Sequence, residues 1–217
     1  MNMLLWSTDV SGPEFDPVFA MLRDAGFDGV EIPIFDREID TYARLRGRLE
    51  NLGLEALAVS ARAGDDNPIS ADPAVRAEAV AATRANLDSA AALGASLICG
   101  PLAAPLAVFS GAGPTDEEKD PAEALRSCAD VLVHVHVSEN DRSTPGTGQV
   151  AWAETFDAIR AIGYDGWVAI EAFGDALPEL AGATKIWRRM FESPEQLARD
   201  GAAFVRGGLG LRERPRR

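Results

Sequence analysis

Two histidines stand two residues apart, His134 and His136, at the end of an apolar run, Leu132–His136. Residues two apart in a strand point to the same face, so both rings should face the same way. An imidazole at a strand's mouth can ligate a divalent ion through a neutral ring nitrogen. A hydrogen-bonded structural pair satisfies the same spacing, and spacing alone leaves both readings open. Two carboxylates hold comparable positions: Glu31 in Gly29–Ile32 and Glu171 closing Trp167–Glu171. A carboxylate there can move a proton or ligate a metal. Glu31 also suits a strand-end hydrogen bond, and Trp6 suits either stacking on a substrate or burial in the core. Behind His136 come Glu139, Asn140, Asp141 and Arg142, polar groups on a loop.

The elements that must position these groups alternate. Met3–Trp6, Gly29–Ile32, Glu55–Val59, Ser96–Gly100, Leu132–His136 and Trp167–Glu171 read as six strands. Between them run helical stretches with recognisable ends. Asp16-Pro17 and Asp72-Pro73 combine an N-cap acid with proline at the first helical position. A helix over Ile39–Asn51 ends at Gly53, the long one after Asp72 at Gly94, with Val80, Leu87 and Ala91 expected on its buried face. Trp152–Ile162 is another helix, and Ser193-Pro194 with Gln196 opens the last in capping-box spacing. One junction repeats in letters: Gly26-Phe27-Asp28-Gly29 and Gly163-Tyr164-Asp165-Gly166 each precede a strand. Alternating units with short turns imply an α/β fold, a parallel sheet closed or curled with helices outside. In such barrels, chemistry sits at the C-terminal ends of the strands.

Composition narrows the function. The 217 residues are 47% hydrophobic and 25% charged, an ordinary globular profile. A net charge of −13 argues against a nucleic-acid partner, which clustered Lys and Arg would have to bind. No 18-residue apolar run suggests a membrane span. The first residues lack a signal-peptide pattern and Cys99 and Cys128 make no disulfide framework, so a cytoplasmic location is expected. One domain over 1–209 and a basic tail over 210–217 (Arg212, Arg214, Arg216, Arg217) complete the organisation. Gly111–Gly113 and Gly207-Gly208 fit no phosphate-binding fingerprint and read as loops.

The ordered string His134-Val135-His136-Val137-Ser138-Glu139-Asn140-Asp141-Arg142, then Pro145-Gly146-Thr147-Gly148, Trp152 and Gly163 through Glu171 closely resembles the ketose 3-epimerases and their sugar phosphate isomerase/epimerase relatives, TIM-barrel proteins of the xylose isomerase type. Val30-Glu31-Ile32-Pro33, Ser70 through Arg76, Leu93-Gly94-Ala95 and Gly100-Pro101-Leu102 are similar too, so the resemblance covers most of the chain. It implies a divalent ion (Mn²⁺, Co²⁺ or Mg²⁺) held by two Glu, one Asp and one His. That ion would chelate ketose oxygens while one Glu removes the C3 proton and another returns it from the far face, through an enediolate. By this resemblance His136 and Glu171 are metal ligands, and Glu171 is also the base. Arg142, with Glu31 and Trp6, would bind the sugar; His134 and Glu139 would stand behind them.

The chain departs from that pattern after Leu102. Pro114–Glu118 resembles the start of the family's fourth helix, whereas Lys119-Asp120-Pro121 resembles the stretch after its sixth strand. The seam omits two strand–helix units with one Glu and one Asp ligand. A complete barrel takes about 250 residues. The expectation is therefore an incomplete barrel of six parallel strands in chain order, with Leu132–His136 beside Ser96–Gly100. The surviving crossover, Pro121–Cys128, would be only about 12 Å long. Metal should bind weakly, unpaired edges should favour a homo-oligomer, and the ligand should be a small sugar. The rival is an inactive barrel remnant serving as a sugar-binding or assembly subunit. Aldose–ketose exchange stays open, whereas an endonuclease site would need more histidines and a basic surface.

Overall fold

The computed structural model describes residues 1–35, 38–62, 64–102 and 120–211. The proposed seam at Glu118–Lys119, the Gly111–Gly113 cluster and the basic tail from Arg212 lie outside the described residues. Five parallel strands are present among those described: β1 (Gly29–Pro33), β2 (Glu55–Val59), β3 (Ile98–Cys99), β4 (His134–Val137) and β5 (Trp167–Ile170). β1, β2 and β3 pair in that order, with Glu31 opposite Leu57 and Val59 opposite Cys99. β4 pairs with β5, placing His136 opposite Ala169.

The first two residues join these sheets on one side. Asn2 N–H donates to Ile170 C=O at 3.0 Å, and Glu31 N–H donates to Met1 C=O at 2.9 Å. The expected strand at Met3–Trp6 is thus displaced. Met3–Leu5 is a 3₁₀ turn, because Asn2 Oδ1 accepts the Leu4 N–H at 2.9 Å and bends the chain away from the ladder. Met3 and Leu5 drop into the core instead. On the other side β3 and β4 form no ladder among the described residues; their ends meet through side chains, with Cys99 Sγ 3.7 Å from His136 Nε2. Among the described residues the expected continuous six-stranded sheet is therefore two sheets, bridged by a dipeptide and with no ladder between β3 and β4.

Seven helices surround the strands in the described residues: α1 (Asp16–Asp24), α2 (Ile39–Leu52), α3 (Pro73–Leu93), α4 (Pro121–Ser127), α5 (Trp152–Ala161), α6 (Pro178–Ala183) and α7 (Pro194–Leu209). Their ends follow local chemistry. Asp72 accepts from Ala74 N–H, Ser193 from Gln196 N–H and Asp120 from Ala122 and Glu123 N–H. Gly53 and Gly94 close α2 and α3 in the left-handed region. Asp16 is not a cap: a 3₁₀ turn over Pro13–Phe15 leads directly into α1, and the Asp16 carboxylate takes the Arg48 guanidinium at 2.8 Å. The repeated junction is one device used twice. Gly26 and Gly163 both have positive φ, and the aromatic after each donates its N–H back to Leu22 and Ile159. Each thereby turns a helix into the next strand, β1 and β5.

The helices pack in the order α3–α2–α1–α7–α5–α4, and α3 makes no extensive contact with α4. Among the described residues, then, neither layer is continuous on that side. On its borders stand half-exposed or exposed apolar side chains: Val80 and Leu87 on α3, Val131 and Val133 before β4. The expected face of α3 is thereby corrected. Its buried side is Ala79, Ala82, Asn86, Ser89, Ala90 and Leu93, small residues that let the helix approach α2 and β2 closely, while the larger Val80 and Leu87 turn outward. No helix among the described residues is long and apolar enough to cross a membrane.

The loop after β4 is built around one carboxylate. Glu139 is buried and accepts from the backbone N–H groups of Asn140, Gly146, Gln149 and Val150 and from Trp152 Nε1, at 2.8–3.1 Å. Burial alone would raise its pKa, but these donors outweigh it and hold the carboxyl below its ordinary range. A depressed folded-state value stabilises the fold above the unfolded value, about 4.3, and that stability drains as pH falls toward the folded one. Glu139→Gln should therefore lower the unfolding free energy at pH 7 by at least about 2 kcal/mol. Urea titrations of both chains at neutral pH and at pH 3 should show the difference shrinking on acidification; a pH-independent difference would contradict this account.

Candidate metal and sugar site

Alternation in two strands builds the centre. In β1, Val30 and Ile32 face the helices and Glu31 faces inward; in β4, Val135 and Val137 are buried outward while both histidines turn in. Glu31, 0% exposed, meets them across the interior. Its Oε1 lies 2.6 Å from His134 Nε2 and 2.9 Å from His136 Nε2. The two rings stand edge to face with centroids 4.9 Å apart. Burial works against the charge on all three groups, yet the mutual hydrogen bonds win: Glu31 is held down to about 2, and both imidazoles are pushed up. Glu31 Oε2 and His134 Nδ1 are buried without a partner.

Cys99, the last residue of β3, completes this group. Its Sγ lies 3.7 Å from His136 Nε2 and 3.9 Å from Glu31 Oε1. Burial would raise the thiol, but the neighbouring imidazoles lower it. Among the described residues, Glu31, Cys99, His134 and His136 form the cluster able to hold a metal ion, with one donor atom of each within 4.8 Å of the others.

A second constellation faces the C-terminal mouth of the strands. Glu171 directly follows β5, and its N–H continues the pairing to Val137 C=O at 3.0 Å. Its Oε1 lies 3.3 Å from His136 Nδ1, and its Oε2 accepts from Arg142 Nη1 at 3.0 Å. Arg142 also donates to Ser138 Oγ and lies over the Phe173 ring, 5.6 Å from its centroid. Its φ of 64° is uncommon for a residue with a side chain; the Glu139-centred loop holds it there, with Arg142 N–H on Glu139 C=O. His136 is thus shared, Nε2 toward Glu31 and Nδ1 toward Glu171.

Five of the residues named from sequence therefore come together: Glu31, His134, His136, Arg142 and Glu171. Glu139 stands apart, occupied by its own loop. Trp6 donates its indole N–H to Glu195 at the start of α7, at 3.1 Å. Cys99 was passed over, because a single cysteine at a strand end has no motif; its position at the close of β3, matching those of His136 and Glu171 on their strands, was the available signal. A cleft of about 550 Å³, lined by Gly29, Glu55, Trp167 and Arg206, opens at the N-terminal ends of β1, β2 and β5. Barrel enzymes place their chemistry at the opposite end, so it is set aside.

Known proteins resemble this arrangement over nearly the whole chain. The xylose isomerase-like TIM barrel family matches residues 19–133 and 115–207. A probable ketose 3-epimerase of Synechocystis sp. is 40% identical over 90 residues, 42% of this chain but only 31% of that protein, so this match spans less than a third of the relative's length. An L-ribulose 3-epimerase of Mesorhizobium japonicum is 27% identical over 278 aligned positions, covering 97% of this chain and 93% of that one. Among solved structures, a D-allulose 3-epimerase from Methylomonas sp. shares the fold with a TM-score of 0.86 at 23% identity, covering 96% of each chain. An L-ribulose 3-epimerase structure follows at 0.84 and 25% identity, covering 97% of this chain and 93% of that one. The family match spans far more than half the sequence and the strands observed are those of such a barrel, so the chain belongs to the xylose isomerase-like TIM barrel family.

Proposed function

We propose that this chain is a sugar-binding isomerase of the ketose 3-epimerase type that keeps only one of the two proton-transfer faces. The observation that carries it is Glu171 at the mouth, held by Arg142 on one oxygen and facing His136 on the other. Arg142 offers guanidinium N–H groups to sugar hydroxyls, and Glu171 can take a proton from the carbon beside a ketose carbonyl. Inversion at that carbon needs a second proton donor on the far face. Glu31 cannot serve, since its Oε1 is shared by two imidazoles and it is wholly buried.

The donors at the mouth do not fit the oxygen-rich ion that the relatives' chemistry calls for. His136 Nδ1 and Glu171 supply two protein ligands, and catalytic ions ordinarily have three or more. A missing middle segment accounts for the shortfall. The alignment of 278 positions exceeds the 217 residues of the chain, so it opens gaps within it, and among the described residues there is no ladder between β3 and β4 and no extensive contact between α3 and α4, an opening on that side. That opening also favours the second reading, an assembly subunit whose gap another chain covers.

With Mn²⁺ or Co²⁺ added, the 217-residue chain should leave ketoses unepimerised at C3. Inserting a relative's strand–helix–strand segment near Glu118–Lys119 should bring activity up by at least about 10²–10⁴-fold, the scale of one general acid–base group. In that repaired chain Glu171→Gln should abolish turnover and Arg142→Ala should mainly raise KM. Robust epimerisation by the unrepaired chain, surviving Glu171→Gln, would sink the reading.

The exposed apolar groups bordering the opening lead to a separate expectation. The chain should self-associate at roughly tens of micromolar, where edge-exposed species pair, and Val131→Lys combined with Val133→Lys should shift sedimentation toward monomer. A clean monomer for the unaltered chain at that concentration would exclude the assembly reading.

A further inference from the structure

We propose that Glu31, Cys99, His134 and His136 form a four-coordinate interior site for a soft divalent cation, Zn²⁺ by preference, which shares His136 with the mouth but takes no ligand from Glu171. The sugar reading is not needed for it. A tetrahedral zinc with Zn–S of about 2.3 Å and Zn–N or Zn–O of about 2.0–2.1 Å sets its ligand atoms about 3.6 Å apart for S···N or S···O and about 3.3 Å apart for N···O. The observed Sγ···Nε2 and Sγ···Oε1 separations are 3.7 and 3.9 Å, already close to such edges. The two Nε2···Oε1 separations, 2.6 and 2.9 Å, are hydrogen-bond lengths, with a proton where the ion would lie. Opening each by about 0.4–0.7 Å brings these edges to tetrahedral lengths, and the donor atom of His134 lies within 4.8 Å of those of Cys99 and His136.

Three further features support an ion here. Glu31 is 0% exposed, and its Oε2 has no partner; a buried carboxylate oxygen left bare is costly, and a cation beside the group compensates it. Thiolate and carboxylate together bring two negative charges, equal to the ion's, so the filled site is neutral and tolerates burial. When Nε2 of His136 gives up its proton to the ion, Nδ1–H points to Glu171 Oε1, 3.3 Å away. That is the carboxylate–imidazole–metal arrangement that fixes the tautomer of ligating histidines. Cys99 and His136, near the ends of β3 and β4, are partly exposed, so an ion can reach them. One thiolate and two imidazoles select Zn²⁺ or Co²⁺ over Mg²⁺ and Mn²⁺, which prefer all-oxygen shells.

Cobalt reports the geometry directly. Titrating the full chain with Co²⁺ should give one equivalent bound, with a near-ultraviolet thiolate-to-cobalt charge-transfer band and the strong visible absorption of a four-coordinate ion, both bleached by one equivalent of Zn²⁺. Cys99→Ser should remove the charge-transfer band and weaken Zn²⁺ on the order of 100-fold or more, beyond the 10–100-fold typical of an outer partner. Glu171→Gln should keep the band, whereas it should stop any proton transfer at the mouth; the two readings thus fail independently. If Cys99→Ser folds poorly, alkylating the thiol in a Cys128→Ser background tests the same ligand in a native fold. No stoichiometric cobalt, a weak six-coordinate spectrum, or a band that survives loss of the Cys99 thiol would each overturn the proposal.

Discussion

A carboxylate with no exposure, received by two imidazoles across the middle of the barrel, is the contact from which the geometry of the site follows. Glu31 on β1 reaches His134 and His136 on β4, with β2 and β3 to one side and residues 1–2 and β5 to the other. Such contact requires a narrow interior. Barrel diameter grows with strand number, and the usual eight-stranded interior is filled by layers of branched apolar side chains. Here Glu31, His134 and His136 put polar groups into that interior and hydrogen-bond one another, while Glu31 Oε2 and His134 Nδ1 have no partner among the described residues. Removing either histidine would leave a buried charge short of a partner, which destabilises far more than an exposed pair contributes.

The same contact orients the mouth. With Nε2 turned to Glu31, His136 presents Nδ1 outward, and Glu171 sits where β5 delivers it, one residue past the ladder. Arg142 comes from a different source, a loop folded around Glu139 rather than around the strands. Its left-handed backbone persists because five donors on Glu139 fix the turn. The groups at the mouth therefore depend on two independent supports, the interior triad and the loop carboxylate, and either could be lost without unmaking the other.

How much of this the sequence discloses depends on whether a feature is local. The caps Asp72 and Ser193 and the closing Gly53 and Gly94 are decided within one turn, and they stand where the residues imply. That His134 and His136 face the same way follows from strand periodicity alone; that they face inward does not. Glu31 was placed at a strand end, but not its bond to the histidines, because that contact joins residues 103 apart in sequence. Asn2 was opaque for the opposite reason: a side chain two residues upstream redirected an apolar run that otherwise reads as a strand. The α3 face failed because alanine occupies most of the helix, so periodicity carries little signal and the few large residues mislead. Cys99 gains meaning only from what the fold brings to it.

Sharing one imidazole between two sites has a consequence for both. A ring that ligates an interior cation through Nε2 keeps its proton on Nδ1 and donates it to Glu171. That nitrogen then has no lone pair for a metal at the mouth. Conversely, an ion bound between Nδ1 and Glu171 leaves Nε2 protonated toward Glu31, as the hydrogen-bonded form already is. The two occupancies exclude each other unless the ring gives up both protons, which a site with Glu31 and Glu171 on its two sides opposes electrostatically. An ion at the mouth and a thiolate-bound interior ion are therefore alternatives for this chain. With two ligands at the mouth and four inside, the balance of donors favours the interior.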